Sequence, residues 1–465
     1  MSLTSAFANA TSGLFASARA VQVASSNIAN AMTEGYAPRE IGLAASARGG
    51  SGVRVAAVTR QVDTALLGLN REAGARAEAA DTAHAFWQTI EGSIGLPGEG
   101  LSAALSGFEA ALFAASERPD LTARLEAAVQ SAETLVERFG DVENALQQQR
   151  MDAESTIATD IETLNAGLLR LDSINTEVIR LRAGGQSTLG LEDERQALLT
   201  TLSEIVPLRD YSRADGRVVL FTEGGQLLLD LQPAELGFSQ APIIDAQSTG
   251  LSGFTVNGRP VSSAALSGGR LGAQLAIRDT FAPQAQAALD ALAQDLVTRF
   301  ADPATDPGLP PGQPGLLTDA GGMPGGAIGL AGRLSVNTAL APGNAWRLRD
   351  GLAAGAPGAV GDAAQINRLI AALERPTTAS PGTPQRDATG HMADFLTLVS
   401  TARDRAETGA VAATARRAEL SEQAAAQGVD TDAEMQRLIL IEQAYAANAR
   451  VIETADAMLR RLMEI

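Results

Sequence analysis

Residues 121–146 read LTARLEAAVQSAETLVERFGDVENAL and have the apolar spacing of a long helix. Apolar residues recur every three or four positions, and the pattern continues to Leu171. No proline lies between residues 120 and 206, so no ring interrupts a helix there. The stretch predicts either one helix of roughly 90 Å, if it runs unbroken to Leu181, or a helical hairpin that breaks near residues 147–152. Both alternatives predict an elongated bundle.

The composition favours helical packing by small and aliphatic side chains. Of the 465 residues, 45% are hydrophobic but only 4% are aromatic, so Ala, Leu, Val and Ile must fill the interior. This length is typical of two or three domains with substantial cores. The scarcity of aromatic residues favours long, thin helical interfaces over one large globular core.

The charge of the chain is strongly acidic. The formal net charge is −18, and every one of the 36 Lys or Arg residues is arginine. Nucleic acids and anionic membranes attract concentrated basic surfaces, so this balance argues against both as partners. No stretch reaches the ~18 apolar residues of a membrane-spanning helix. The first residues also lack the basic and continuous apolar regions of a secretory signal peptide.

Residues suited to catalysis or metal binding are few. Cysteine is absent, which excludes disulfides, thiolate zinc ligands and a cysteine nucleophile. For both histidines, His84 and His391, a packing or surface role fits better than zinc binding. Residues 430–434, DTDAE, resemble the start of a calcium loop, but Met435 replaces the glycine that such a loop requires. The sequence therefore predicts no enzyme, no cofactor and no metal site.

The N-terminal segment carries a narrow apolar stripe with helical spacing. Its members alternate by three and four positions, which is typical of a heptad seam, and Gly35 and Pro38 are expected to end the helix. Such a narrow stripe cannot be buried by its own helix. The predicted stripe consists of Leu3, Phe7, Ala10, Leu14, Ser17, Val21, Ala24, Ile28 and Ala31.

The C-terminal segment carries a second stripe of the same kind. Thr431 and Glu434 have the spacing of a capping box at its start. We expect the two terminal helices to pair with each other or with neighbouring subunits. The predicted C-terminal stripe consists of Leu438, Ile441, Tyr445, Asn448, Ile452, Ala455, Leu459 and Leu462.

After Pro207 the pattern changes from helical to β-like. Residues 216–231 predict two strands joined by a turn at 223–225, and residues 253–262 predict another pair joined at Asn257–Gly258. The chain then turns helical up to about residue 300 and becomes rich in Pro and Gly as far as 345. Further strands are expected at 333–337 and 345–350, and helix resumes from about 390.

These segments predict a mainly α protein with an inserted β-rich (α+β) domain. Residues 1–36 and 430–465 are the predicted terminal coiled-coil helices, which form an assembly domain. Residues 37–207 and 385–429 are the predicted elongated helical bundle. Residues 208–384 are the predicted β-rich outer domain.

The segment that ends the first helix resembles the N-terminal signature of bacterial flagellar axial proteins. Members of the rod, hook and hook-associated group carry S-N-N-I-A-N followed by T-x-G-Y. This chain has S-S-N-I-A-N at 25–30 and T-E-G-Y at 33–36, with Ser26 in place of the first asparagine. We predict that Asn27 and Asn30 specify helix packing, since a polar residue at a helix interface fixes register. Gly35 and Tyr36 then begin a bend that redirects the chain.

The C-terminal helix is similar to that of the same group. Two internal segments, residues 191–206 and 267–279, resemble elements of the hook-associated protein 1 family in particular. Finding related motifs at both ends of one chain strengthens the resemblance. The matching C-terminal residues are Gln443, Ala444, Tyr445, Ala447, Asn448, Val451 and Ile452.

The resemblance implies a structural protein of the hook–filament junction in the extracellular bacterial flagellum. It implies a ring of about eleven subunits, on which the next junction protein and the filament assemble. The implied partners are the hook protein, the second junction protein and an export chaperone at the C-terminal helix, with export through the flagellar type III apparatus. The alternatives are another rod or hook-type axial protein, or a coiled-coil adhesin or adaptor with a β-rich binding head. An enzyme within residues 210–380 is the least favoured alternative.

Overall fold

The computed structural model describes residues 3–33, 35–46, 52–95, 98–379 and 384–463. The chain is 64% helical with a few small antiparallel sheets, which confirms the predicted mainly α class with an inserted β region. It folds into two units. The first unit comprises Met1–Ala75, Asn165–Ala234 and Thr414–Ile465, and the second comprises Arg76–Leu164 and Glu235–Ala413.

The helices are numbered in chain order. They are α1 (Leu3–Ala29), α2 (Thr64–Ile94), α3 (Gly100–Glu117), α4 (Thr122–Ala183), α5 (Leu189–Ile205), α6 (Gly269–Ala276), α7 (Ala282–Ala301), α8 (Leu330–Arg333), α9 (Arg347–Asp350), α10 (Ala364–Glu374), α11 (Ala388–Ala426) and α12 (Thr431–Met463).

Helix α4 settles the question that its sequence left open. It runs unbroken for 62 residues, so the single-helix alternative is correct and the hairpin is wrong. At 1.5 Å per residue this corresponds to roughly 90 Å. Its first part belongs to the second unit and its last part to the first unit.

The core of the second unit has the spacing that the sequence predicts for α4. The apolar residues of α4 from Leu125 to Leu146 are buried every three or four positions and pack with apolar residues of α2, α3, α7, α10 and α11. Aromatic contacts are few, and one joins Phe108 of α3 to Phe300 of α7 with ring centres 6.0 Å apart. The core is therefore built mainly from aliphatic side chains between helices.

The strands form four small antiparallel sheets among the described residues. The strands are β1 (Arg39–Ala45), β2 (Val53–Arg60), β3 (Leu208–Ser212), β4 (Val218–Thr222), β5 (Leu227–Leu229), β6 (Leu236–Phe238), β7 (Phe254–Val256), β8 (Arg259–Val261), β9 (Leu317–Asp319) and β10 (Leu334–Val336). The sheets are ordered β1-β2, β3-β4-β5, β6-β7-β8 and β10-β9.

Both predicted hairpins after Pro207 are confirmed. Strand β4 pairs with β5, and β7 pairs with β8 so that Phe254 lies opposite Val261. Asn257 and Gly258 both have positive φ, at 51° and 75°. This conformation matches the right-handed twist of a two-residue hairpin, and asparagine and glycine adopt it most readily.

The segment after Pro38, to which the sequence assigns no helix or strand, forms the β1–β2 hairpin, which pairs Arg39 with Arg60 and has a bulge at Gly42/Leu43. One local prediction is wrong. The strand expected at 345–350 is replaced by the short helix α9, of which Leu348 is buried in the second unit. Short apolar runs fit a strand and a helical turn equally well, because periodicity needs several turns to be visible.

The predicted domain boundaries stay a prediction. In the structure, strands β3 to β5 belong to the first unit together with both terminal helices. Strands β6 to β10 belong to the second unit with the core helices.

Residues 267–279, which resemble a hook-associated element, form a buried polar network in the second unit. A short π-helical segment, Ile277–Phe281, places Arg278 beside Glu154 of α4, with Nη1 2.6 Å from Oε2. Arg150 of α4 donates from Nε to the Arg278 carbonyl oxygen at 3.1 Å, and Asp160 pairs with Arg270. These residues thus join α4 to α6 and the π segment and have a structural role.

Candidate assembly interface

The site is built around the end of α1. The helix ends at Ala29, earlier than Gly35 and Pro38 suggest, and the next residues form turns. Asn30 donates from Nδ2 to the Ser26 carbonyl oxygen at 2.8 Å, which satisfies one of the last carbonyl groups of the helix. Its contact is local, so Asn30 caps the helix and joins no other element.

Asn27 is fully buried and makes four hydrogen bonds. Its Nδ2 donates to the Arg39 carbonyl oxygen and to Glu434 Oε1, both at 2.9 Å. Its Oδ1 accepts from the Arg39 backbone N–H at 3.0 Å and from the Tyr36 hydroxyl at 2.8 Å. An amide has two N–H donors and two oxygen lone pairs, so every one of them is used. This single side chain joins α1 to β1 and to α12.

The segment that leads from α1 into β1 is held against helix α5 by close contacts and ion pairs. Gly35 has a φ of +78°, and a Cβ there would lie 3.1 Å from the Ala197 Cβ and 3.2 Å from the Asp193 carbonyl oxygen. The Asp193 carboxylate accepts from Arg39 Nη2 at 3.0 Å and pairs with Arg60 Nε at 2.9 Å. Glycine is therefore required at position 35 both by the backbone conformation and by the close approach of α5.

Acidic residues at the start of α5 balance this group of arginines. Glu192 accepts from the Thr188 hydroxyl at 2.7 Å and from Arg182 Nη2 at 3.2 Å. Burial acts to raise the pKa of Glu192, but these hydrogen bonds and nearby arginines outweigh it, so the pKa lies below its usual value. Burial lowers the pKa of Arg195, which donates to the Gly216 carbonyl oxygen. The charges are held in a fixed structural network.

Helices α1 and α12 pack along each other in antiparallel orientation. One contact is the hydrogen bond from Asn27 to Glu434. In the other, the side chain of Asn448 lies directly over Gly13. The two contacts are 14 residues apart on each helix, and the numbers run in opposite directions. The predicted pairing of the terminal helices thus occurs within this chain.

The buried residues of α1 are divided between the predicted stripe and the positions one residue before it. Ala10, Ser17 and Ala24 belong to the predicted stripe, whereas Ala16, Val23 and Asn27 each precede a member of it. Asn27 is buried where Ile28 is only half-buried, and Val23 is buried where Val21 is exposed. The two contacts with α12 lie at positions 13 and 27 of α1. The positions at the same heptad spacing are Ala6, Asn9, Gly13, Ala16, Ala20, Val23 and Asn27.

The predicted C-terminal stripe is mostly half-buried or exposed in the structure. Ala455 is buried, and the seam residues Leu438, Ile441, Asn448 and Ile452 are half-buried. Tyr445 and Leu459 remain 47% and 44% exposed. The side chain of Leu462 lies outside the described residues. That these positions, with Leu14, Val21 and Ile28 of α1, contact neighbouring subunits stays a prediction.

Apolar side chains remain exposed on both terminal helices. Phe15 of α1 is 74% exposed, and Leu440 of α12 is 65% exposed. Monomeric proteins rarely expose many large apolar side chains on one pair of elements. The exposed apolar residues of the pair are Phe7, Phe15, Val21, Met435, Ile439, Leu440, Tyr445, Val451, Met458, Leu459 and Met463.

Several site residues were missed or misassigned from the sequence. Glu434 was read as part of a capping box with Thr431, but Asp430 caps α12 by accepting from the N–H groups of residues 432 and 433, both at 3.0 Å. Glu434 is thereby free to reach Asn27. Gly13, an isolated glycine within a helical pattern, was the one sequence signal for a close contact. Nothing in the sequence pointed to Asp193.

A cleft of about 880 Å³ in the second unit contains ionisable groups, but they are paired. Arg299 is buried against Asp295, and Arg375 pairs with Asp302 at 3.0 Å. Next to the cleft, His391 is buried with Nε2 2.9 Å from the Thr377 carbonyl oxygen. Within the described ranges, no group of three or more His, Cys, Asp or Glu residues could hold a metal ion. No described helix is both long and apolar enough to cross a bilayer.

Three models of known families match parts of this chain. The model of the FlgK helical domain of flagellar hook-associated proteins matches residues 87–305, slightly less than half of the chain. This region is therefore similar to the FlgK helical domain. The models of the flagellar basal body rod protein and of the rod protein C-terminal region match residues 7–36 and 425–465, respectively. The family matches thus include both helices of the α1–α12 pair.

Known relatives of the FlgK family are distant in sequence. The flagellar hook-associated protein 1 of Escherichia coli (strain K12) is 25% identical over 214 residues, covering 44% of this chain and 39% of that protein. The protein of the same name from Bacillus subtilis (strain 168) is 23% identical over 227 residues, covering 45% of each. The chain thus spans less than half the length of these relatives. Neither match supports the adhesin or adaptor alternative.

A solved structure of the FlgK family is also similar. It is the flagellar hook junction protein FlgK from Burkholderia pseudomallei, with a TM-score of 0.47 and 19% sequence identity. The similarity covers 54% of this chain and 46% of that one.

Proposed function

We propose that this chain is a structural protein of the bacterial flagellum that forms the hook–filament junction layer. The observation that carries the proposal is the combination of a FlgK helical domain with an α1–α12 pair that matches flagellar rod models at both ends. The paired helices expose large apolar side chains, which neighbouring subunits would cover. Function then lies in assembly, and the protein is not an enzyme.

The proposed partners follow from the family. The chain assembles with itself in a ring of about eleven subunits, binds the hook protein below and supports the second junction protein above. A dedicated chaperone binds the C-terminal helix before export through the flagellar type III apparatus, and the mature protein is extracellular. The absence of cysteine suits a chain that is exported unfolded, because it cannot form wrong disulfides.

Electron microscopy of cells that lack this chain tests the proposal. We expect hooks to be present on the cells and unattached filaments to accumulate in the medium, because the filament would have no junction layer. Re-expression of the full chain should restore attached filaments. Normal attached filaments in the deletion strain would contradict the junction role.

A further inference from the structure

We propose that two interlocking contacts, Asn27 with Glu434 and Gly13 with Asn448, hold α1 and α12 in a single register. The four residues are positioning residues. By fixing the register, they determine which side chains the helix pair exposes on its outer faces. The register itself follows from the geometry of the pair. Its importance for flagellar assembly rests on the proposed function.

The first contact stabilises the correct register. Asn27 has no exposed surface, and the Glu434 carboxylate accepts one of its two amide hydrogens. Sliding α12 by one heptad would bring Ile441 opposite Asn27 or carry the start of α12 past it. The buried amide would then lose an acceptor, and an unsatisfied buried donor is strongly unfavourable.

The second contact makes shifted registers sterically unfavourable. A Cβ on residue 13 would lie 2.6 Å from Asn448 Nδ2, so the Asn448 side chain can keep this position only over a glycine. Asn448 is held there because its Nδ2 donates to the Ala444 carbonyl oxygen at 3.0 Å. Sliding by one heptad in either direction places Asn448 opposite Ala6 or Ala20, both of which carry a Cβ. The same asparagine that fits over glycine would then clash.

The remainder of the interface carries little register information. Counted from the two contacts, Ala16, Ala20 and Val23 of α1 fall opposite Tyr445, Ile441 and Leu438 of α12. An apolar seam of this kind repeats every seven residues and packs similarly after a shift of one heptad. A polar pair and a steric exclusion at the two ends of the same stretch remove that ambiguity.

Disulfide crosslinking tests the register directly, because the full chain contains no cysteine. The in-register pair is Ala16→Cys with Tyr445→Cys. The pairs Ala16→Cys with Leu438→Cys and Ala16→Cys with Ile452→Cys report a shift of one heptad in either direction. A disulfide requires Cα atoms within ~7 Å, so each pair forms in one register only. We expect the in-register pair to crosslink at least about tenfold faster than either shifted pair.

Removal of the interlocks should release the register. In a background of Asn27→Leu, Glu434→Leu, Gly13→Ala and Asn448→Ala, we expect the rate of a shifted pair to rise to within about threefold of the in-register rate. The matched control is Gln22→Leu with Glu442→Leu, which changes exposed polar residues on the same helices. This control should keep the original ratio, and circular dichroism checks that each variant retains its helices.

Three outcomes would overturn the proposal. They are equal crosslinking of all pairs in the original background, no crosslinking of any pair, or an unchanged ratio after the interlocks are removed. A second, smaller measurement uses Gly13→Ala alone, which should slow the in-register crosslink until Asn448→Ala is added. Failure to recover would overturn the steric part of the proposal.

The experiment separates this inference from the proposed function. Crosslinking is measured on the isolated full chain and does not depend on a flagellum. Normal filaments in a deletion strain would remove the junction role and leave the register standing. A released register together with normal assembly would overturn the role of these residues in assembly.

Discussion

At the scale of the residue, the site consists of side chains whose hydrogen-bonding groups are fully used. Asn27 resembles an active-site residue in its burial, yet all four of its hydrogen bonds go to the chain itself. Its role is to connect structural elements, because an amide can donate and accept hydrogen bonds at the same time. Asn30, three positions later, closes the helix end only. The sequence pointed to both asparagines, and only the structure separated their roles.

Substitution of Asn27 by aspartate should open the junction between α1, β1 and α12. The carboxylate keeps the two acceptor contacts but loses both donors and faces Glu434, so we expect a loss of about 3 kcal/mol in the local free energy of opening. Hydrogen–deuterium exchange of β1 and α12 should accelerate by about 100-fold, since 1.4 kcal/mol corresponds to a factor of ten.

Two further variants control this prediction. Adding Glu434→Gln to Asn27→Asp should recover part of the protection, because the glutamine amide can donate to the new carboxylate. Asn30→Asp should change exchange in β1 only slightly. Equal effects of Asn27→Asp and Asn30→Asp would show that Asn27 has no special connecting role.

At the scale of the element, the helices and the pairing of the terminal helices were predictable, but the buried face of α1 was predictable only in part. The spacing of apolar residues predicted α4 well, because a period sustained over many turns outweighs local exceptions. In α1, Ala10, Ser17 and Ala24 of the predicted stripe are buried, but Val21 is exposed and Ile28 is half-buried. Which of two neighbouring stripes is buried depends on the partner.

Helix α7 also carries a buried carboxylate that should make the second unit sensitive to pH. Asp290 accepts from the N–H groups of Gly329 at 2.7 Å and Ala331 at 2.9 Å, at the start of α8. Burial raises the pKa of Asp290, and the hydrogen bonds only partly oppose it. The folded state therefore holds its proton to higher pH than the unfolded state does. The free energy of unfolding should fall as the pH rises from the unfolded pKa, about 3.8, through the folded pKa.

Asp290→Asn should flatten this part of the pH profile. Urea unfolding followed by the fluorescence of Trp87 and Trp346, both in the second unit, measures the slope. Glu143, whose pKa is also raised by burial and by Asp290, leaves a smaller residual slope. The exposed control Glu133→Gln should retain the original profile. An unchanged slope in Asp290→Asn would refute the assignment.

At the scale of the whole molecule, the two units differ in how far their apolar side chains are buried. The second unit has the extensive apolar core, with aliphatic residues from eight helices, α2 to α4 and α7 to α11, and from their connecting segments. The first unit brings both chain ends together, and its terminal helices keep many apolar side chains exposed. We therefore expect the core of the second unit to stabilise the fold and the exposed apolar surface of the first unit to serve in assembly.

Ile452→Asp should block incorporation into the flagellum and leave the second unit folded. The half-buried side chain lies in the stripe that faces α1, so a carboxylate there opposes docking of the pair. We expect loss of filament attachment in cells that express only this variant, with unchanged urea unfolding by tryptophan fluorescence. Gln436→Asp, an exposed polar position on α12, is the matched control. Normal attachment with Ile452→Asp would contradict an assembly role for the pair.

The sequence by itself determined the mainly α class, the long α4, the two hairpins after Pro207 and the similarity of both ends to flagellar axial proteins. These features depend on local periodicity, turn chemistry and motifs, which a chain carries wherever it folds. Only the tertiary structure decided that Glu434 reaches Asn27, that Gly13 receives Asn448 and that Asp193 fastens the segment after α1. These contacts join residues that are more than 100 positions apart. Tertiary packing determines which residues become partners, and no local sequence pattern indicates them.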